Sequence, residues 1–241
     1  MVERELLIGA ISQILLIAIA ITAILPPILL GQTFFYISWY FLTVASVFNY
    51  RFLYLTIYNA REPDFLHFQL PSLLGILNSL LFLVLIFLLL ILIRRIGHKI
   101  GTNNLPKRSF SLGFALAILA GLISILFNTI SLNQVPYWTS ETSPYGGFLF
   151  VWGLNSLGWV LLILENLLVG LSMVSFGFVF IIVSKHFTLN RLWISTGLTY
   201  VMAGVFDFTI FATSIGLIFT IMAGFTGLGS FYKTDYIEVN V

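Results

Sequence analysis

The chain has 241 residues, of which 59% are hydrophobic and 8% are charged, and its mean hydropathy is +1.06. Soluble domains carry roughly 25% charged residues, so this composition excludes an ordinary soluble protein and predicts an integral membrane protein with a single transmembrane domain, residues 1–241. The net charge of +2 gives no support for nucleic-acid binding, and the absence of cysteine excludes disulfides, thiolate-bound metal clusters and thiol catalysis.

Apolar runs of about 20 residues are long enough to cross the roughly 30 Å hydrocarbon core of a bilayer as helices. They predict an all-α, polytopic transmembrane helix bundle with seven spans. Six spans are the alternative, because the last two require a tight reversal near Thr209. In chain order, the predicted spans cover residues 6–30, 33–54, 71–93, 110–132, 157–183, 192–208 and 213–231.

A basic loop between the third and fourth spans predicts the orientation. Short loops rich in Lys and Arg face the cytoplasm, so we expect a multi-pass protein of the cell membrane with this loop inside. Seven alternating spans then place the N-terminus outside. The loop can also bind anionic head groups or a soluble partner. Its basic residues are Arg94, Arg95, Lys99, Lys107 and Arg108, with no acid among them.

The fifth span is interrupted by the adjacent polar residues Glu165 and Asn166. A carboxylate in the middle of a membrane helix costs about 2.5–3.5 kcal/mol on insertion scales, so it needs a partner or a wet cavity. Counting residues along each predicted span places all strongly polar intramembrane groups in the half of the membrane away from the basic loop. This predicted polar cluster comprises Arg51, Glu165, Asn166, Asp207, Gln13, Asn78 and Asn128.

Two interpretations of this cluster remain open. It is either a site for a substrate, an ion or a proton, or a structural arrangement of ion pairs and interhelical hydrogen bonds. In both, Arg51 is placed to neutralise Glu165 or Asp207.

Small residues recur at intervals of four on two of the predicted helices, which permits close approach of helix backbones. They are Gly113, Ala117 and Gly121 in the fourth span and Ala223 and Gly227 in the last one. Such faces serve either for packing inside the monomer or for self-association and docking to another subunit.

Catalytic and cofactor motifs are missing from the sequence. There is no H-E-x-x-H, G-x-S-x-G or P-loop motif, and His67, His98 and His186 all fall in connectors. We therefore expect no metal site, no cofactor and no catalytic residue.

Three functions fit these patterns. The favoured one is a non-catalytic membrane subunit or scaffold of a larger complex, with the lipid bilayer and other membrane subunits or further copies of itself as partners. The second is a transporter for a small solute, an ion or a proton that uses the polar cluster. The third, an intramembrane enzyme acting on a lipid or quinone, has the least support, because Glu165 and Asp207 lack a nucleophile or a metal.

Overall fold

A computed structural model describes residues 3–29, 65–101, 105–132, 140–142, 148–150, 156–208 and 213–232. Within these residues the chain forms six α-helices, one pair of short strands and a 3₁₀ turn. The helices are α1 (Glu3–Leu29), α2 (Phe65–Ile100), α3 (Lys107–Leu132), α4 (Ser156–Val183), α5 (Asn190–Phe208) and α6 (Thr213–Tyr232).

The strands lie in the connection between α3 and α4. β1 (Ser140–Thr142) and β2 (Phe148–Phe150) pair antiparallel, with Glu141 opposite Leu149. The 3₁₀ turn Ser184–His186 connects α4 to α5.

Four helices contain segments that are long and apolar enough to cross a membrane. These segments are Gly75–Ile100, Lys107–Ile130, Ile163–His186 and Ile215–Tyr232, in α2, α3, α4 and α6. In α1 the apolar segment is shorter, Leu7–Thr22. Each of the six helices overlaps one predicted span, whereas the predicted span 33–54 lies outside the described residues.

The six helices form a closed ring in which each packs against its neighbours in the sequence and α6 returns to α1. Neighbouring helices run antiparallel. Between α5 and α6, for example, the Thr196 hydroxyl is hydrogen-bonded to that of Ser230 at 2.9 Å, while Asp207 lies against Gly216. The stretch 192–231, which is too long for one span, therefore forms two antiparallel helices.

One end of the ring collects the basic residues, and we call it the basic end. Lys99 at the end of α2, Lys107 at the start of α3 and Arg191 at the start of α5 all lie there. At this end, Gly101 follows the last residue of α2 with a φ of 88°, a left-handed conformation that glycine adopts without strain and that ends the helix. The opposite end is called the far end.

The direction of α1 differs from the predicted one. The Lys99 ammonium lies 2.8 Å from the Glu5 carboxylate, so α1 begins at the basic end. The sequence analysis placed the N-terminus on the opposite side from the basic loop, whereas the structure places the start of α1 beside that loop. Leu29 and Phe65 consequently both lie at the far end.

Aromatic side chains of α4, α5, α6 and the connection between α4 and α5 pack together within about 15 Å of the basic end, counted at 1.5 Å per residue. The Trp193 ring stacks on Phe187 with centroids 4.1 Å apart and meets the edge of Phe231 at 5.0 Å. Phe180 lies 5.8 Å from Trp193 and 5.2 Å from Tyr200. All five residues, named here the aromatic cluster, are buried.

Candidate functional site

Five residues of the predicted polar cluster lie buried at similar heights in the ring. They are no more than 4% exposed and stand about 25–35 Å from the basic end, counted along their helices at 1.5 Å per residue. We call them the polar layer: Asn78, Asn128, Glu165, Asn166 and Asp207. The layer draws on α2, α3, α4 and α5, and it lies towards the far end.

Hydrogen bonds join the polar layer to α1 at Asn78. The Thr22 hydroxyl donates to Asn78 Oδ1 at 2.8 Å, and Asn78 Nδ2 donates to the Ile19 carbonyl at 3.2 Å. The Asn78 side chain therefore uses both of its polar atoms to hold α2 against α1.

A second hydrogen bond joins α2 to α3. The Ser79 hydroxyl of α2 lies 2.7 Å from that of Ser124 in α3. Asn128 Nδ2 donates to the Ser124 carbonyl of its own helix at 2.9 Å. Gly75 of α2 packs directly on the Asn128 amide, because glycine has no side chain to separate them. The bond between Ser79 and Ser124 is of the kind expected of a structural interhelical hydrogen bond.

Gln13 lies apart from the polar layer. Since α1 begins at the basic end, Gln13 is only about 15 Å from that end, at the height of Tyr200. The Tyr200 hydroxyl donates to Gln13 Oε1 at 3.1 Å, which ties α5 to α1 across the inner face of α6. This height differs from the depth predicted for Gln13, because the prediction placed the start of α1 at the opposite end.

Glu165 and Asn166, the pair that interrupts the fifth predicted span, both lie in α4. Glu165 has no exposed surface and takes part in an interaction within the fold, and Asn166 is 4% exposed. Arg51, the predicted counter-ion, lies outside the described residues.

Asp207 differs from the other members of the polar layer. It is 2% exposed, and neither carboxylate oxygen has a hydrogen-bond partner among the described residues. Its Oδ1 lies against the α-carbon of Gly216 in α6, where any side chain would collide with it. The glycine thus provides the space that the carboxyl group occupies.

The backbones of α4 and α5 approach each other closely at glycines that the sequence analysis did not select. A methyl group added to Gly170 would lie 2.6 Å from the Gly204 carbonyl oxygen, and one added to Gly177 would lie 2.6 Å from the Gly197 carbonyl oxygen. Both helices space these glycines seven residues apart, which is two helical turns. This repeated spacing is the signal that predicts the contact.

The small residues that the sequence analysis did select also face neighbouring helices of the same chain. Gly113 packs on Ser172 and Ser175 of α4, Gly121 on Leu83 of α2, and Gly227 on Gln13 of α1. Ala117 and Ala223 have no exposed surface.

The basic end exposes most of the predicted basic loop. Arg94, Arg95, Lys107 and Arg108 are exposed, whereas Lys99 is paired with Glu5. An open groove of about 320 Å³ lies beside the start of α3 and is lined by the residues from Leu105 to Ser109.

Among the described residues, no group of three or more His, Cys, Asp or Glu side chains is arranged to hold a metal ion. Comparison of the chain with protein-family models, with curated protein sequences and with solved structures found no match in any of the three.

Proposed function

We propose that this chain is a multi-pass integral protein of the cell membrane that serves as a non-catalytic subunit or scaffold of a larger membrane complex. The four long apolar helices support the membrane location. So does the outer surface of the ring, where large apolar side chains face outward. Phe87 and Phe225, for example, are each 60% exposed, a pattern suited to lipid or to a membrane-embedded partner.

The packed interior is the observation that best supports a structural role. The aromatic cluster packs between α4, α5 and α6 near the basic end, and Trp193 and Tyr200 are at most 1% exposed. A buried, closely packed cluster of this kind supports a structural interior rather than a path for a solute. Hydrogen bonds such as Thr22 to Asn78 and Ser79 to Ser124 likewise use polar side chains to hold helices together. Both features support a rigid scaffold over a transport path.

The orientation that we propose places the basic end in the cytoplasm, because the cytoplasmic loops of membrane proteins are enriched in Lys and Arg. Arg4 belongs to the first turn of α1 and therefore lies at the same end as Arg94 and Lys107. The basic end then presents exposed cations to the anionic inner leaflet or to an acidic partner.

Co-purification from native membranes tests the proposal. The tagged full-length chain is extracted in a mild detergent and its bound proteins are quantified, with the same tag on an unrelated multi-pass protein as the control. We expect at least one partner in fixed stoichiometry that the control lacks. A monodisperse chain without partners that moves solute into proteoliposomes would contradict the proposal.

A further inference from the structure

The carboxyl group of Asp207 is buried at the junction of α5 and α6, without a hydrogen-bond partner in the part of the chain that the structure describes. It is 2% exposed, and both of its oxygens lack a hydrogen-bond partner among the described residues. Asp207 lies one residue before the end of α5, and its carboxyl group contacts Gly216 in the first turns of α6. The group is thus enclosed by packed helices and yet is close to the far end of the ring.

The charges around Asp207 do not favour a carboxylate anion. The last turn of a helix carries a partial negative charge, and Asp207 lies in the last turn of α5. The only charged residue of α4 is Glu165, another acid, and α6 has no charged residue. Within α5 the remaining ionisable groups, Arg191 and Tyr200, lie towards the basic end.

An ionised carboxylate without a partner is so costly in an apolar interior that such a group takes up a proton instead. We propose that Asp207 is a reversible proton-binding site, whose carboxyl group exchanges one proton with water at the far end of the ring. On binding, the proton adds to a carboxylate oxygen. On release, it passes to water and leaves the carboxylate. The ligand is the proton itself, and the site is additional to the scaffold role.

Labelling of the full-length chain with dicyclohexylcarbodiimide tests this site, because the reagent modifies protonated carboxyl groups in apolar surroundings. The carboxyl O–H adds across one C=N bond of the reagent, and the adduct rearranges to a stable acylurea without a leaving group. We expect the adduct on Asp207 by peptide mass spectrometry. Its amount should fall about tenfold for each pH unit above the midpoint of labelling.

Two variants serve as controls. Asp207→Asn should lose the adduct, whereas Glu165→Gln should retain the adduct on Asp207. The infrared carbonyl band of a protonated carboxylic acid provides a second readout on the wild-type chain. It should disappear as the pH rises, and it does not depend on access of the reagent or on folding of a variant.

Three results would overturn the proposal. One is the absence of both the adduct and the infrared band over the whole pH range in which the chain is folded. Another is an adduct that appears only in Arg51→Ala, since Arg51 would then hold Asp207 as the carboxylate of an ion pair. The third is protection of Asp207 by Na⁺ or Li⁺ at constant pH, which would identify a metal cation as the occupant.

Discussion

The two halves of the helix ring are packed with different kinds of side chain. Near the basic end the interior holds aromatic rings in direct contact, such as Trp193 stacked on Phe187. Towards the far end it holds amides, hydroxyls and carboxyl groups, such as Asn78 bonded to Thr22. The first half depends on shape and on many weak contacts. The second depends on a few directional bonds.

This difference has an energetic consequence. Lipid tails are as apolar as the side chains of the core, so helices in a membrane associate through close packing and interhelical hydrogen bonds. A large aromatic side chain makes many packing contacts at once. The groups of a hydrogen bond, in contrast, also find alternative partners in the unfolded chain. We therefore expect single substitutions to be costlier in the aromatic half than in the polar half.

The largest effect is expected for Trp193→Ala, which empties the centre of the aromatic cluster. We expect a loss of about 3 kcal/mol in the free energy of unfolding, the lower end of the usual range, because lipid does not drive burial as water does. Reversible unfolding in mixed micelles measures it. Phe225→Ala, at a side chain that is 60% exposed, is the control and should change little. Equal losses in the two variants would remove the distinction between the core and the outer face.

An intermediate effect is expected for Gly204→Leu, at the contact between α4 and α5 that spans both halves. A leucine side chain there must push the Gly170 and Val174 backbones away, at a cost of about 1–3 kcal/mol. Gly229→Leu is the matched control, because nothing lies within 4 Å of a side-chain carbon added at Gly229. Thermal denaturation in detergent compares the two variants, and an equal fall in Tm would contradict the proposed contact.

A smaller effect is expected in the polar half from the hydrogen bond between Ser79 and Ser124. A double-mutant cycle with Ser79→Ala and Ser124→Ala should give a coupling energy of about 0.6 kcal/mol, typical of interhelical hydrogen bonds in membranes. Unfolding in mixed micelles provides the four free energies. A coupling energy as large as the loss for Trp193→Ala would contradict the expectation that substitutions are costlier in the aromatic half.

The smallest effect on stability is expected for the double variant Glu5→Gln, Lys99→Ala, which removes both charges of the ion pair and leaves no unpaired buried carboxylate; the pair itself, with Lys99 partly exposed, contributes about 0–1 kcal/mol. The same pair has a larger diagnostic value. Because the chain has no cysteine, Glu5→Cys combined with Lys99→Cys can be linked by a short bismaleimide. Glu5→Cys combined with Leu73→Cys should not link, since Leu73 lies near the opposite end of α2. Linkage of the second pair alone would contradict the direction of α1.

Much of the helical organisation was predictable because long apolar runs leave few alternatives. The span predicted at 157–183 and the helix α4 (Ser156–Val183) differ by one residue at the start. The direction of α1 was not predictable from charge, because its first turn mixes Arg4 with Glu3 and Glu5. The difference between the predicted and the observed depth of Gln13 follows directly from the direction of α1. The ion pair between Glu5 and Lys99 and the packing of Gly9 on Phe231 revealed both.

The positions of the polar residues along their helices were predictable from the sequence, whereas their hydrogen-bond partners were not. Residue counting placed Asn78, Asn128 and Asp207 away from the basic loop, and they lie there. Counting cannot reveal which polar groups find partners, because that depends on how the helices are rotated about their axes. Asn78 and Asp207 look equivalent in the sequence. In the structure Asn78 is hydrogen-bonded, whereas Asp207 has no hydrogen-bond partner among the described residues.

The contact between α1 and α6 sets the order in which the chain can complete its fold during synthesis. Gly9 packs on Phe231, so α1 lacks this contact until the chain has been made as far as Phe231. At about 5–20 residues per second this takes roughly 10–45 s. For most of that interval, Gln13 has neither Tyr200 nor α6 to cover it. α6, the last of the described helices to be made, is thus the one that closes the ring, and a chain that ends before α6 stays open.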